Sequence, residues 1–199
     1  LHKIFLHTLN SGRPPLESFI FAYEEVSRRL QFQDSGTTAV TFLIREGYIF
    51  TANAGDARAI VIHNREAHQL TIDHRVTNQD ELTRILDRDG IIRGSYVVRG
   101  SKGLMPTRSI GDEYFKPVGI IATPAVNSYE ISTNDLFLIA ACDGLFDAMT
   151  NEEVADVASK CTEPDQILDR LKIEVLINRC GLDNLTIIAV SLQESGMIQ

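Results

Sequence analysis

Apolar residues recur first at helical spacing, then at every second position, then at helical spacing again. Leu1, Ile4, Phe5 and Leu9 fit the tail of a helix with no capping residue ahead of it. After the loop "SGRPP", Leu16, Phe19, Ile20, Tyr23, Val26 and Leu30 form one stripe of a longer helix, with Pro15 suited to its first turn. The period then drops to two. Val40, Phe42 and Ile44 share a strand face, "REG" supplies a tight turn, and "YIFTANAG" returns as a second strand. "ARAIVIH" and "AHQLT" make a hairpin about Asn64 and Arg65, so the strands run as an antiparallel meander. Asn78 with Glu81 patterns as a helix cap ahead of Leu82, Ile85 and Leu86, with Gly90 as the stop, and short strands follow to Val126.

The run Leu136 to Cys142 is apolar on both faces and predicts a central strand covered on each side. Thr150 and Glu153 form a capping box that starts a helix with Val154, Val157 and Ala158 inward. Pro164 opens another, with Ile167, Leu168, Leu171 and Val175 inward and Gly181 capping its end; "NLTIIAVSL" is expected as a last buried strand. This order predicts an α+β fold, a four-layer α-β-β-α sandwich of two antiparallel sheets flanked by helices. No repeat, low-complexity tract or linker divides the 199 residues, which read as one domain, 1–199.

Composition narrows the function classes. With 44% hydrophobic and 23% charged residues the chain has material for a packed core. Its net charge of −8 argues against nucleic acid, whose phosphates need a basic footprint. No apolar run reaches the ~20 residues of a membrane span. Cys142, Cys161 and Cys180 are odd in number and widely spaced, which is no disulfide framework, and no signal-peptide layout opens the chain. The expectation is an intracellular protein, cytoplasmic or nuclear, with no membrane or nucleic-acid partner.

The chemistry lies in carboxylates where apolar strands meet turns. Asp56 follows "YIFTANAG", Asp143 follows "LFLIAAC", and Asp183 precedes "NLTIIAV". Taken singly, each fits an ordinary Asp turn bonded to its own backbone. Together they raise the alternative of a divalent cation, since hard ions such as Mg²⁺ and Mn²⁺ take carboxylate and water oxygens and relieve the cost of carboxylates gathered at a core mouth. Other chemistries find no support. His74 has no partner in an H-x-x-x-H pattern, no G-x-S-x-G elbow is present, and "GSKGLMPTRSIGD" lacks the Lys-Ser/Thr of a phosphate loop. Arg108 within it reads as a structural ion pair or an anion contact.

From "DSGTTAV" (beginning at Asp34) through "TANAGDARAIV", "LTIDHR", "GLMPTRSIGD", "TPAV" and "LIAACDGLFDAMTNEEV" to "LDNLTIIAVSL" (beginning at Leu182), the chain resembles the metal-dependent type 2C serine/threonine protein phosphatases. The resemblance implies roles. Asp143 corresponds to a ligand of the catalytic metal pair, Asp183 to its companion, and Asp56 to a ligand of a further, weaker site shared with Asp143. Thr37 and Thr38 correspond to hydroxyls beside the site, and Arg108, Gly111 and Asp112 to a mainly structural signature. Two Mn²⁺ or Mg²⁺ ions, with a third at the weaker site, are the implied cofactors. The implied reaction is hydrolysis of phosphoserine or phosphothreonine in a protein substrate by a metal-activated water.

The chain also departs from that family. The Asp-Gly-His-Gly stretch that supplies a bridging ligand ahead of the first long helix is not found, and no Asp or Glu precedes Glu17. Cys142 stands where serine is usual, and Cys180-Gly181 replaces Gly-Ser. The expectation is a type 2C domain lacking its amino-terminal part, with weak or no catalysis by this chain alone. The alternative is a catalytically impaired relative acting as a binding or structural subunit. A protein partner covering the apolar face of "LHKIFLHTL" is expected in that case.

Overall fold

A computed structural model describes residues 1–30, 35–181 and 183–193. Asp34 and Leu182, which open two of the stretches quoted above, lie outside the described residues. In chain order the elements are helices α1 (His2–Asn10) and α2 (Pro15–Arg29); strands β1 (Gly36–Thr37), β2 (Ala39–Arg45), β3 (Tyr48–Ala54), β4 (Arg58–His63) and β5 (Glu66–Gln69); helix α3 (Gln79–Leu86); strands β6 (Ile91–Arg93), β7 (Tyr96–Arg99), β8 (Lys102–Leu104) and β9 (Ile110–Gly111). A 3-10 turn, Glu113–Val118, leads to β10 (Ala125–Glu130) and β11 (Asp135–Ala141), then helices α4 (Asp143–Phe146), α5 (Asn151–Ala158) and α6 (Pro164–Ile173), and last β12 (Ile187–Ser191). The strands join as β12-β11-β4-β5, β10-β3-β2, β6-β7-β8 and the pair β1-β9. The α+β class with antiparallel sheets and flanking helices is the one the sequence predicts.

The chain divides into two compact units. Unit 1 comprises residues 1–40, 52–56 and 72–126. There Phe5 of α1 stacks on Phe19 of α2, ring centroids 4.1 Å apart, so the best apolar residue of the first helix is already covered within the chain while Leu6 stays exposed. Tyr23 is fully buried and donates its hydroxyl to the carbonyl of Ala52 at 2.9 Å, which satisfies the one polar atom that aromatic residue carries inside. A smaller core of Ile85, Val97, Phe115 and Ile120 ties α3 to the β6-β7-β8 hairpins and the 3-10 turn.

Asn78 caps α3 as expected, accepting from the N–H groups of Asp80 and Glu81, but Glu81 does not reciprocate. Its buried carboxylate turns inward instead. Arg84 donates to it at 2.6 Å, Arg108 at 2.7 Å and the Thr107 hydroxyl at 2.7 Å. Arg108 also reaches the carbonyl of Thr123 at 3.0 Å. Burial alone would raise the Glu81 carboxyl, but these three donors hold it well below the usual carboxylate range. Arg108 is thus a structural ion pair, the first of its two readings.

Unit 2 comprises residues 41–51, 57–71 and 127–199. Its core lies between one face of the β12-β11-β4-β5 sheet and the helices α4 to α6. Ile60, Ile62, Phe137 and Ile139 from the sheet meet Leu145, Val154, Ala158, Ile167 and Leu171 from the helices. Each of the valine, leucine, isoleucine and phenylalanine side chains among them contributes about 1.5–3 kcal/mol on full burial. Leu138 and Ala140, facing the other way, are buried too, so β11 is covered on both faces as its apolar run requires. The capping box of α5 forms in full: Thr150 accepts from the Glu153 N–H and Glu153 accepts from the Thr150 N–H.

Two expectations change. β12 is a sheet edge rather than a buried strand, and Ile188 is 51% exposed. After α6 the chain continues through a wider turn, Glu174–Asn178, whose end is closed by the Gly181 N–H on the carbonyl of Val175 at 2.9 Å. The left-handed residue there is Cys180, at φ 53°, not Gly181. All three cysteines are free thiols, and among the described residues no helix is long and apolar enough to cross a membrane.

Candidate metal centre

The carboxylates singled out by sequence differ in setting. Asp143 is the first residue of α4, directly after β11, and is half-buried. Asp183 is exposed, ahead of β12, and its Oδ1 accepts from the Asn184 N–H at 2.7 Å. Asp56 is buried in unit 1 in the turn after β3, and Arg75 donates to its Oδ2 at 2.9 Å. Gly55, beside it, has φ 111° and leaves no room for a Cβ, which would lie 2.3 Å from the Thr38 methyl carbon. Thr38 thus packs against this turn, and Thr37 lies in β1.

Antiparallel register brings the first two of these segments together. β11 and β12 pair from Phe137↔Ser191 to Ala141↔Ile187, so the end of β11 lies beside the start of β12. The pairing extends one bond further, with the Cys142 N–H donating to the Thr186 carbonyl at 3.2 Å. Beyond it Gly144 packs so closely on Asn184 that a Cβ there would sit 2.2 Å from the Asn184 carbonyl oxygen. Asp143 is flanked by Cys142 and Gly144, and Asp183 adjoins Asn184, so both residues lie at one end of the sheet. Among the described residues, however, no three His, Cys, Asp or Glu side chains are grouped as a metal cage.

Two carboxylates at one sheet end are a hard-oxygen donor set. That set fits Mg²⁺ or Mn²⁺, which are commonly held by one or two carboxylates and keep several waters. It does not fit zinc, which takes nitrogen and sulfur in a closed tetrahedron. Because backbone meets backbone at Gly144, neither side has a flexible atom to yield. Gly144→Ala is therefore expected to destabilise the fold by about 1–3 kcal/mol, the usual cost of overpacking. Thermal unfolding of the variant would show it as a Tm lower by several degrees; an unchanged Tm would mean the contact relaxes freely.

A carboxylate at the opposite end of β11 escaped the sequence reading. Asp135 is 1% exposed and opens the strand. It accepts from the Ser132 N–H at 2.7 Å, the Tyr129 hydroxyl at 3.1 Å and His63 Nδ1 at 2.8 Å. Burial, reinforced by Asp135, pushes the Tyr129 hydroxyl up to about 12. Protein donors satisfy this carboxylate, which marks it as structural. The signal that would have found it is the single Asp inside "NDLFLIAAC", immediately before an apolar run.

His74 is likewise structural. It is 2% exposed, and its Nδ1 lies 3.2 Å from the Gly55 nitrogen and 3.0 Å from the Gly55 carbonyl. Burial, with the nearby Arg108 charge adding to it, lowers its pKa to about 4, so the ring is neutral at neutral pH.

Comparison with known proteins adds the family. Residues 17–180 match the family model described as protein phosphatase 2C. Protein phosphatase 2C homolog 1 of Saccharomyces cerevisiae is 29% identical over 193 residues, covering 88% of this chain and 66% of its own length. Probable protein phosphatase 2C 21 of Arabidopsis thaliana is 33% identical over 177 residues, covering 80% of this chain and 49% of its own length. The chain thus spans about half to two thirds of these curated relatives. Among solved structures, serine-threonine phosphatase 2C from Toxoplasma gondii superposes with a TM-score of 0.73 at 18% identity, over 88% of this chain and 66% of that one. A sex determining protein of C. elegans gives 0.75 at 21% identity, over 96% and 50%. At such identities these two superpositions speak for the fold alone. The family model covers most of the chain and includes Asp56 and Asp143, and on that ground the chain belongs to the protein phosphatase 2C family.

Proposed function

We propose that the protein containing this chain hydrolyses phosphate monoesters on serine and threonine residues of proteins, with Mn²⁺ or Mg²⁺ as cofactor. Asp143 and Asp183 are its metal ligands, and Asp56 serves a weaker additional site. Family membership supports the reaction class. The observation that carries the site is the β11–β12 register, which delivers Asp143 and Asp183 to one end of one sheet.

When bound, such ions supply an acidified water at neutral pH and neutralise charge on the phosphoryl oxygens. The chain's own contribution is placement. Asp143 leaves a strand buried on both faces and enters a helix at once, so its backbone has little freedom. Asp183 lies ahead of β12 and is tied through its neighbours, with Asn184 packed on Gly144 and the Thr186 carbonyl accepting from the Cys142 N–H. Residues anchored next to paired strands are held more accurately than residues of free loops.

The test is hydrolysis of p-nitrophenyl phosphate by the protein with added Mn²⁺ and again after chelation. Hydrolysis that requires Mn²⁺ is expected. A folded protein that hydrolyses nothing under these conditions would instead be the binding or structural subunit, and hydrolysis indifferent to chelation would overturn the metal assignment.

A further inference from the structure

We infer that Cys142 is a positioning residue whose thiol sets the spacing of Asp143 and Asp183. The inference rests on the proposed metal site and concerns how that site is held. Strand pairing between β11 and β12 ends at Ala141↔Ile187, with one further backbone bond from Cys142 to Thr186. Past that point the ladder no longer joins the two segments, and both carboxylates lie past it. The Cys142 side chain takes over there. Its thiol donates to the Asn184 carbonyl at 3.2 Å and accepts from the Thr186 N–H at 3.3 Å. One small side chain thus uses its donor and its acceptor on the two residues that bracket Leu185.

The same Asn184 carbonyl is the atom against which Gly144 packs. Asn184, the neighbour of Asp183, is therefore gripped from both sides of Asp143. Cys142 contributes the attractive contact and Gly144 the steric stop. Each thiol bond is weak alone, but together they fix a separation that the backbone by itself leaves open. Cys161 shows the contrast. It is buried among α5 and α6, and among the described residues its thiol donates to the Val157 carbonyl one helical turn away, at 3.4 Å. That thiol fills a core and joins nothing distant.

Groups that orient a metal ligand without touching the ion typically govern 10–100-fold of metal affinity. The experiment is an Mn²⁺ titration of the chain, with free Mn²⁺ read by electron paramagnetic resonance. Cys142→Ala should weaken Mn²⁺ binding about tenfold. Cys142→Ser, which keeps a donor and an acceptor, should restore it to within about threefold, and Cys161→Ala should leave it unchanged. If Cys142→Ala fails to fold, Cys142→Val, which fills the space without either hydrogen bond, gives the same reading. Wild-type binding that Asp143→Asn abolishes while Cys142→Ala and Cys142→Val leave it intact would overturn the role of the thiol and keep the site. A wild-type chain that binds no Mn²⁺ would overturn both.

Discussion

Asp143→Asn is expected to lower Mn²⁺-dependent hydrolysis by about 100-fold or more, close to 2.7 kcal/mol of transition-state stabilisation. Asparagine keeps the size and shape of the side chain and removes its charge. It also suits the first turn of α4, so the helix and the strand before it should form as before. Stability and activity are thereby separated: Tm should stay within a few degrees while kcat/KM for p-nitrophenyl phosphate collapses. Asp183→Asn should follow with a smaller loss, since Asp183 is exposed and water can replace part of its contribution. Activity retained by Asp143→Asn would remove the metal reading altogether, because Asp143 is the first carboxylate after β11.

Acid should cost the fold about 3 kcal/mol between about pH 6.5 and about pH 4 through one residue, His74. In the folded chain its pKa is lowered to about 4, by burial first and by the charge of Arg108 next. In the unfolded chain it returns to the ordinary histidine value. Between those values the unfolded state takes up a proton that the folded state refuses. The stabilising contribution is therefore complete above about pH 6.5 and is lost as pH falls toward 4. Glu81 acts lower. Its depressed carboxyl contributes fully above about pH 4.5 and is lost only below that, so the two windows meet without much overlap. Urea unfolding at about pH 7 and about pH 4.5 would measure the slope. In His74→Gln the slope over this window should flatten, whatever the variant's stability at pH 7. An unchanged slope would assign the acid sensitivity elsewhere.

Local chemistry was legible in the sequence and long-range pairing was not. The Thr150–Glu153 box was readable because all its parts lie within four residues, and β11 because its own apolar run demands cover on both faces. The three strand-end aspartates were found by the same logic, a carboxylate where a core strand meets a turn. Asp135 fits the same pattern, an acid immediately before an apolar run, but its partners His63 and Tyr129 come from other strands and no local signal names them. The edge position of β12 depends on which strand lies beside which, and "NLTIIAVSL" looks the same in a sheet's middle or at its rim. Glu81 looked like half of a cap. Arg108, 27 residues further on, drew its carboxylate away. The bonds of Cys142 were not legible because its partners, Asn184 and Thr186, lie more than forty residues along the chain.

The Arg108 strap also limits which replacements that position tolerates. Its Nε and Nη2 both serve Glu81, and its Nη1 serves the Thr123 carbonyl. A guanidinium offers these nitrogens in one rigid plane, whereas lysine brings a single nitrogen on a flexible stem. Exchange for lysine, usually counted as mild, would preserve the charge and abandon the fork. Position 108 therefore has no near synonym among the twenty amino acids.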